Sequence, residues 1–135
     1  MKKGQSDVTT EGIRIRVGAQ YLPNQSNPDQ KHFSFAYRVR IENVGERPAQ
    51  LISRKWIILD ADNECRVVRG PGVVGEQPRL APGEEFEYMS GSTMPTEWGT
   101  MEGSFQFMRE DGEEFEAGIG RFFLTPSSAP MAVSR

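Results

Sequence analysis

Cysteine and histidine are almost absent from this chain: 135 residues hold one of each, Cys65 and His32. A lone thiol excludes an internal disulfide and the secreted frameworks built on them. Transition-metal centres draw on clusters of His and Cys, and base-activated Ser or Cys chemistry usually employs His. Neither set can be assembled here, so no catalytic residue, metal centre or cofactor is expected. Cys65 falls in a short strand and reads as a small packed residue. Long apolar runs are missing too. The strongest, Trp56-Ile57-Ile58-Leu59, is far too short to span a bilayer. The basic start, Met1 to Asp7, lacks the apolar core of a signal peptide, so a soluble protein of the cytoplasm is expected. Lys and Arg form no blocks, and the formal net charge is -3. That balance argues against nucleic acid as a partner.

Helical spacing of apolar residues is likewise absent, whereas period-two alternation is frequent. Ile13, Ile15, Val17, Ala19 and Tyr21 share one parity, with Arg14, Arg16, Gly18 and Gln20 between them. Phe33, Phe35, Tyr37, Val39 and Ile41 repeat the pattern. Leu51 to Leu59 is a third strand whose centre alternates only partly, leaving its facing open. Glu64 to Arg69 returns as a fourth strand after the turn at Asp60 to Asn63. Phe86 and Tyr88 mark a fifth, and Met101, Gly103, Phe105 and Phe107 a sixth. Gly103 there signals a bulge or a close backbone approach. The Asp111-Gly112 hairpin signal leads to Phe115, Ala117 and Ile119, then Phe122 and Leu124. About seven strands with turns between them predict an all-β antiparallel sandwich, with a closed barrel as the competing architecture. One domain over residues 11–126 is expected, with a flexible arm at 1–10 and a flexible tail at 127–135.

Residues 70–84 carry four glycines and three prolines, and separate the strand-rich halves. Gly70-x-Gly72-x-x-Gly75 matches G-x-G-x-x-G, but the dinucleotide form needs a helix opening at its third glycine. Pro78 and Pro82 forbid one. The stretch therefore reads as a stiffened crossover that presents Val73, Val74 and Gln77, one of the two valines plugging the sandwich edge. Gly70, Gly72, Val73, Val74, Gly75, Gln77 and Pro78 form the candidate binding set. Asp60, Asp62 and Glu64 have the opening spacing of a calcium loop, but Cys65 stands where such a loop needs glycine. Glu110, Asp111, Glu113 and Glu114 form a denser acidic turn, suited to a weakly held, hydrated magnesium or to plain solvation.

Charges on the polar strand faces suggest pairings. If the first, second and fifth strands lie side by side, Arg38 and Arg40 are balanced by Glu85 and Glu87. Arg14 and Arg16 are then less compensated and free to meet an anion. Trp56 occupies the kind of position at which sandwiches bury a tryptophan. Trp98, in a Pro/Gly loop, is either a loop anchor or an exposed contact.

Several of these stretches together resemble the ApaG family. Gly70 to Gly83, G-P-G-V-V-G-E-Q-P-R-L-A-P-G, is similar to that family's signature. Phe86-x-Tyr88-x-Ser90-Gly91, Gly99-x-Met101-x-Gly103 and Asp111-Gly112-x-x-Phe115 continue it, with Phe35-Ala36-Tyr37 and Leu51 to Trp56 upstream. The resemblance covers roughly residues 8–125. It implies an immunoglobulin-like or fibronectin type III-like sandwich and a non-enzymatic bacterial protein-interaction module, indirectly associated with magnesium and cobalt efflux. Related domains in a eukaryotic F-box protein and in a DNA polymerase-associated protein point the same way. The expected partner is an unidentified protein, with the chain a monomer or weak homo-oligomer. The alternative is direct binding of a small ligand, a divalent cation or a phosphate compound such as a nucleotide, through the Gly-rich loop or the acidic turns. Pro71 and Val67 stand where family members often carry acids, which weakens any case for metal at the loop. Gly120 replaces a frequent proline and is expected to leave the last strand more pliable.

Overall fold

A computed structural model describes residues 4–126 of the chain. Its strands are β1 (Gln5–Thr10), β2 (Ile13–Tyr21), β3 (Phe33–Asn43), β4 (Ala49–Asp60), β5 (Cys65–Pro71), β6 (Arg79–Leu80), β7 (Glu85–Met94), β8 (Gly99–Met108) and β9 (Glu114–Leu124). One sheet has the order β1-β2-β3-β7, the other β5-β4-β8-β9, with β6 also on β4. Every pairing is antiparallel. The two sheets face each other across one core, as the strand count predicts. Ile13, Ile15, Val39 and Ile41 line one inner face, and Leu51, Phe105, Phe107 and Phe122 the other. Trp56 is buried at the centre, edge-on to Tyr37, Phe105 and Phe122.

The half-alternating centre of β4 has a simple cause. Pairing with β8 slips between Leu51 and Ser53, leaving Ile52 as an extra residue. An inserted residue inverts the parity of everything after it. Leu51 therefore faces the core on odd parity, and Arg54, Trp56 and Ile58 do so on even. A second slip, between Met101 and Gly103 against β9, puts two residues of β9 opposite one of β8. It accounts for the change of phase from Phe115, Ala117 and Ile119 to Phe122 and Leu124.

The arm expected at residues 1–10 is corrected by the structure. Gln5–Thr10 is a strand fully paired with β2. Its hairpin turns on Glu11 and Gly12, both at positive φ, the backbone that two-residue hairpin loops require. Few apolar residues announce this strand, because it leans on gaps rather than on a greasy face. A β-carbon at Gly120 would lie 2.8 Å from Val8 and 3.2 Å from Ser6. Gly120 thus admits β1 over β9, and the pliability expected of it becomes close packing. Residues 1–3 and the tail at 127–135 lie outside the described residues.

Charge pairing across the first sheet follows the predicted strand order. Arg40 meets Glu85 at 2.8 Å and Arg38 meets Glu87 at 3.0 Å. Arg14 and Arg16, expected to stay less compensated, also find partners: Asp7 on β1 at 2.7 Å and Glu42 on β3 at 3.2 Å. The unforeseen strand supplies the first of these. Hydrogen bonding to Arg14 holds the Asp7 carboxyl below its ordinary value, and Arg40 does the same for Glu85. Depressed carboxyls add stability above their unfolded pKa values and lose it as pH falls through the folded ones. Stability should therefore decline on acidification below the ordinary carboxylate range. Urea midpoints measured from neutral to acid pH should show Glu85→Gln losing less stability than wild type over that fall. Parallel profiles would remove the Arg40–Glu85 contribution.

Candidate functional site

The sandwich has two unlike sides. On one, β1 lies over β9 and closes it. On the other, the edge strands β5 and β7 stand apart, and residues 72–78 are tied down along the mouth between them.

This stretch is built on the bulge in β4. The Ile52 carbonyl, freed from ladder duty, accepts hydrogen bonds from the Gly72 amide and the Gln77 side-chain amide, each at 2.8 Å. Leu51 donates its amide to the Pro78 carbonyl at 2.9 Å, and Gln50 its side-chain amide to the Gln77 carbonyl at 3.0 Å. Between these anchors Val73 and Glu76 exchange two backbone hydrogen bonds, at 2.8 and 2.9 Å. That closes a two-residue turn at Val74 and Gly75, with φ of +44° and +83°. The chain then rejoins β4 as β6, on the edge that β5 has just left. Residues 70–80 therefore do not cross between the sheets, contrary to the crossover expected. The crossing is made by Ala81 to Glu84, where the Gly83 amide donates to the Asn43 carbonyl at 2.8 Å.

The candidate set divides accordingly. Val73 is 1% exposed and belongs to the core, whereas Val74 is 57% exposed. One valine plugs the edge and the other faces out. Gly72, at positive φ, is shut in: a β-carbon there would sit 2.2 Å from the Glu76 carbonyl oxygen. Gly70 lies beneath the Arg54 guanidinium, at 2.8 Å from where its β-carbon would be. Gln77 and Pro78 anchor the stretch on β4, and Gln77 is exposed as well. Gly75 has open space around it. No helix follows the glycine motif, so it forms no phosphate cradle of the dinucleotide kind.

Beside the loop, the gap between β5 and β7 forms a cleft of about 420 Å³. Its floor includes Trp56, Ile58 and Met101. Arg54, Arg66 and Val68 line it from the second sheet, and Tyr37, Tyr88, Ser90 and Ser92 from the first. Sequence reasoning missed Arg54 because the bulge turns it inward. It missed Tyr88 because parity alone marks it as an ordinary core residue. Arg54 donates to the carbonyls of Pro71 and Gly72 at 3.0 and 2.9 Å, fixing the start of the turn. Burial raises the pKa of both Tyr37 and Tyr88, and the Arg54 charge works against that rise at each.

Other candidates resolve differently. Asp60 is an Asx-turn residue, its carboxylate accepting the Asp62 and Glu64 amides at 2.8 and 3.0 Å. Glu110 pairs with Arg79, and Asp111 and Glu113 lie 3.4 and 3.7 Å from Arg47. Among the described residues, no three His, Cys, Asp or Glu side chains are gathered as a metal ion would need. Cys65 is exposed, not packed as expected, because β5 is an edge strand. Trp98 is 46% exposed and stacks on Phe123 with ring centroids 6.2 Å apart, so it is at once anchor and surface. No helix among the described residues is long and apolar enough to cross a membrane.

Comparison with known proteins places this geometry in context. Residues 23–109 match the family profile described as the ApaG domain. The chain is 49% identical over 124 residues to "Protein ApaG" of Dechloromonas aromatica, covering 92% of this chain and 98% of that protein. It is 50% identical over 121 residues to its namesake in Pseudomonas aeruginosa, covering 90% and 96%. A crystal structure of the putative ApaA protein from Bordetella pertussis superposes with a TM-score of 0.84 at 45% identity, covering 96% of this chain and all of the other.

Proposed function

From the premise that the chain belongs to the ApaG family, we propose that it is a non-enzymatic binding module of the bacterial cytoplasm that docks an extended partner segment on strand β5 and the adjoining turn. The observation that carries this reading is β5 itself. It pairs only with β4 among the described residues, and every residue but Gly70 is exposed. An unpaired edge offers a row of backbone donors and acceptors to an incoming strand. Val67, 50% exposed, and Val74 supply apolar anchors beside that row. Arg66 and Arg69 on the same strand favour an acidic segment. Val74 adds support of another kind. A β-branched residue at positive φ is a costly choice, and such outliers concentrate where function demands them. Any tie to magnesium and cobalt is then indirect, through the partner, since the acidic turns are already engaged by arginines and backbone amides.

Val74→Asp is a clean probe. Aspartate tolerates left-handed backbone better than valine, so the turn should hold while the apolar anchor goes. In affinity capture from a native lysate, proteins retained by wild type should be lost by Val74→Asp and by Val67→Asp. They should persist with Val44→Asp, which alters an equally exposed valine away from this edge. Identical capture by all four proteins would end the edge-docking reading.

A further inference from the structure

Two arginines without a carboxylate partner among the described residues share one cleft. Of the arginines facing the space between the sheets, Arg54 and Arg66 have no carboxylate partner among the described residues, and no Asp or Glu lines the cleft they share. The chain as a whole carries more acids than bases, so a basic cleft is not a by-product of composition. Arg54 spends one nitrogen on the Pro71 and Gly72 carbonyls, and Arg66 reaches the Thr93 carbonyl at 3.3 Å. Both guanidinium groups have donors left over.

The second observation is independent. Tyr88 is 9% exposed, and its hydroxyl is buried with no hydrogen-bond partner among the described residues. Buried polar groups are nearly always paired, and an orphan calls for an explanation. Tyr88 lies on the inner face of edge strand β7, opposite Val39 and two residues from Ser90, and lines the same cleft as the two arginines. A hydroxyl donor, two arginines and an apolar floor converge on a volume within the range of small-molecule sites.

We propose that this cleft binds a small organic anion, its carboxylate or phosphate group held by Arg54, Arg66 and the Tyr88 hydroxyl and its body laid against Trp56 and Val68. Ser90 and Ser92, on the inner face of β7, suit a ligand with further polar atoms. The site adjoins the docking edge and shares Arg66 and Val74 with it, but Arg54 and the Tyr88 hydroxyl belong to the cleft alone, so the effect of Tyr88→Phe is read independently of a docked segment. It also differs from the glycine-motif cradle and the acidic turns, since neither supplies a donor.

Trp56 reports on occupancy. In a Trp98→Phe background it is the sole tryptophan. Inorganic phosphate, adenosine monophosphate and benzoate, each at about 10 mM and low salt, separate the phosphate, nucleotide and carboxylate arms. At least one should change Trp56 emission saturably and raise the melting temperature, as binding to the native state must. Tyr88→Phe removes no hydrogen bond among the described residues, so the variant should fold and keep its melting temperature without ligand. It should weaken the bound anion about tenfold or more, the expected loss of a hydrogen bond to a charged group. Arg66→Gln should weaken it similarly. No response to any of the three anions would overturn the proposal. So would a response that survives both substitutions unchanged.

Discussion

Gly103→Ala should cost about 3 kcal/mol or more of folding stability, among the largest effects of any single methyl group in this protein. Gly103 pairs with Trp56 across the central strands of the second sheet. A β-carbon there would stand 2.0 Å from the Lys55 carbonyl oxygen and 3.2 Å from the Trp56 α-carbon. Both neighbours are backbone, so no side-chain rotation relieves the contact. Either β4 and β8 separate or β8 slips, and each outcome displaces Trp56 from the rings of Tyr37, Phe105 and Phe122. Gly112→Ala is the informative control. That glycine sits at φ +89° with nothing near its missing β-carbon, so alanine there incurs conformational strain alone, about 1 kcal/mol. Urea denaturation should separate the two variants by about 2 kcal/mol or more, with the near-ultraviolet dichroism of Trp56 reduced only in Gly103→Ala. Equal midpoints would mean that the sheet yields to the extra carbon.

Gly103 illustrates how much of the fold is legible in the chain. It shares parity with Met101, Phe105 and Phe107, and a glycine in that row already implies close approach. The alternation of β2 and β3 is equally plain, because their inner residues are uniformly large and apolar. Two structural elements leave fainter marks. Strand β1 has only Val8 as an apolar anchor, and its support is the space above Gly120, which no local pattern reveals. The bulge at Ile52 carries no glycine to announce it, yet it decides that Arg54 faces inward.

The candidate site suffers most from such non-local causes. The glycine motif was visible, and so was the division of labour between Val73 and Val74. Which face Arg54 takes depends on the slip at Ile52, and the orphaned hydroxyl of Tyr88 depends on an edge strand from the opposite sheet. Charges show the same limit. Arg38 and Arg40 could be matched to Glu85 and Glu87 from strand order alone. The partner of Arg14 lies on a strand that few apolar residues signal. Once that pairing is made, the outer face of β2 holds no arginine without a carboxylate partner among the described residues, whereas the cleft beside the loop holds two, Arg54 and Arg66.

Arg109→Met should be the second severe lesion, at about 3 kcal/mol, although the new side chain is apolar and of similar length. Arg109 is only 8% exposed, an unusual burial for a charged residue. Its guanidinium donates to the Arg47 carbonyl at 3.1 Å, the Pro48 carbonyl at 3.3 Å and the Glu11 carbonyl at 2.7 Å. The group also lies 4.4 Å from the centroid of the Phe115 ring, where the ring face attracts a cation. One side chain therefore ties together the β1–β2 turn, the β3–β4 connection and the β8–β9 hairpin. Methionine can occupy the volume but would leave the Glu11 and Pro48 carbonyls without this donor, the Arg47 carbonyl keeping only the Asn43 side-chain amide at 2.8 Å, and a lost hydrogen bond to a charged donor is costly. Arg109→Lys tests whether charge or shape matters: an ammonium keeps the charge but lacks the planar fork that spans separate carbonyls, so lysine should recover less than half of the loss. Local readout distinguishes this clasp from general weakening. Amide exchange in β1 should accelerate in Arg109→Met under conditions where β3 and β8 stay protected, because the Glu11 turn is released first. Uniform acceleration across all three strands, or a cost below about 1 kcal/mol, would show that Arg109 does not hold the closed side of the sandwich.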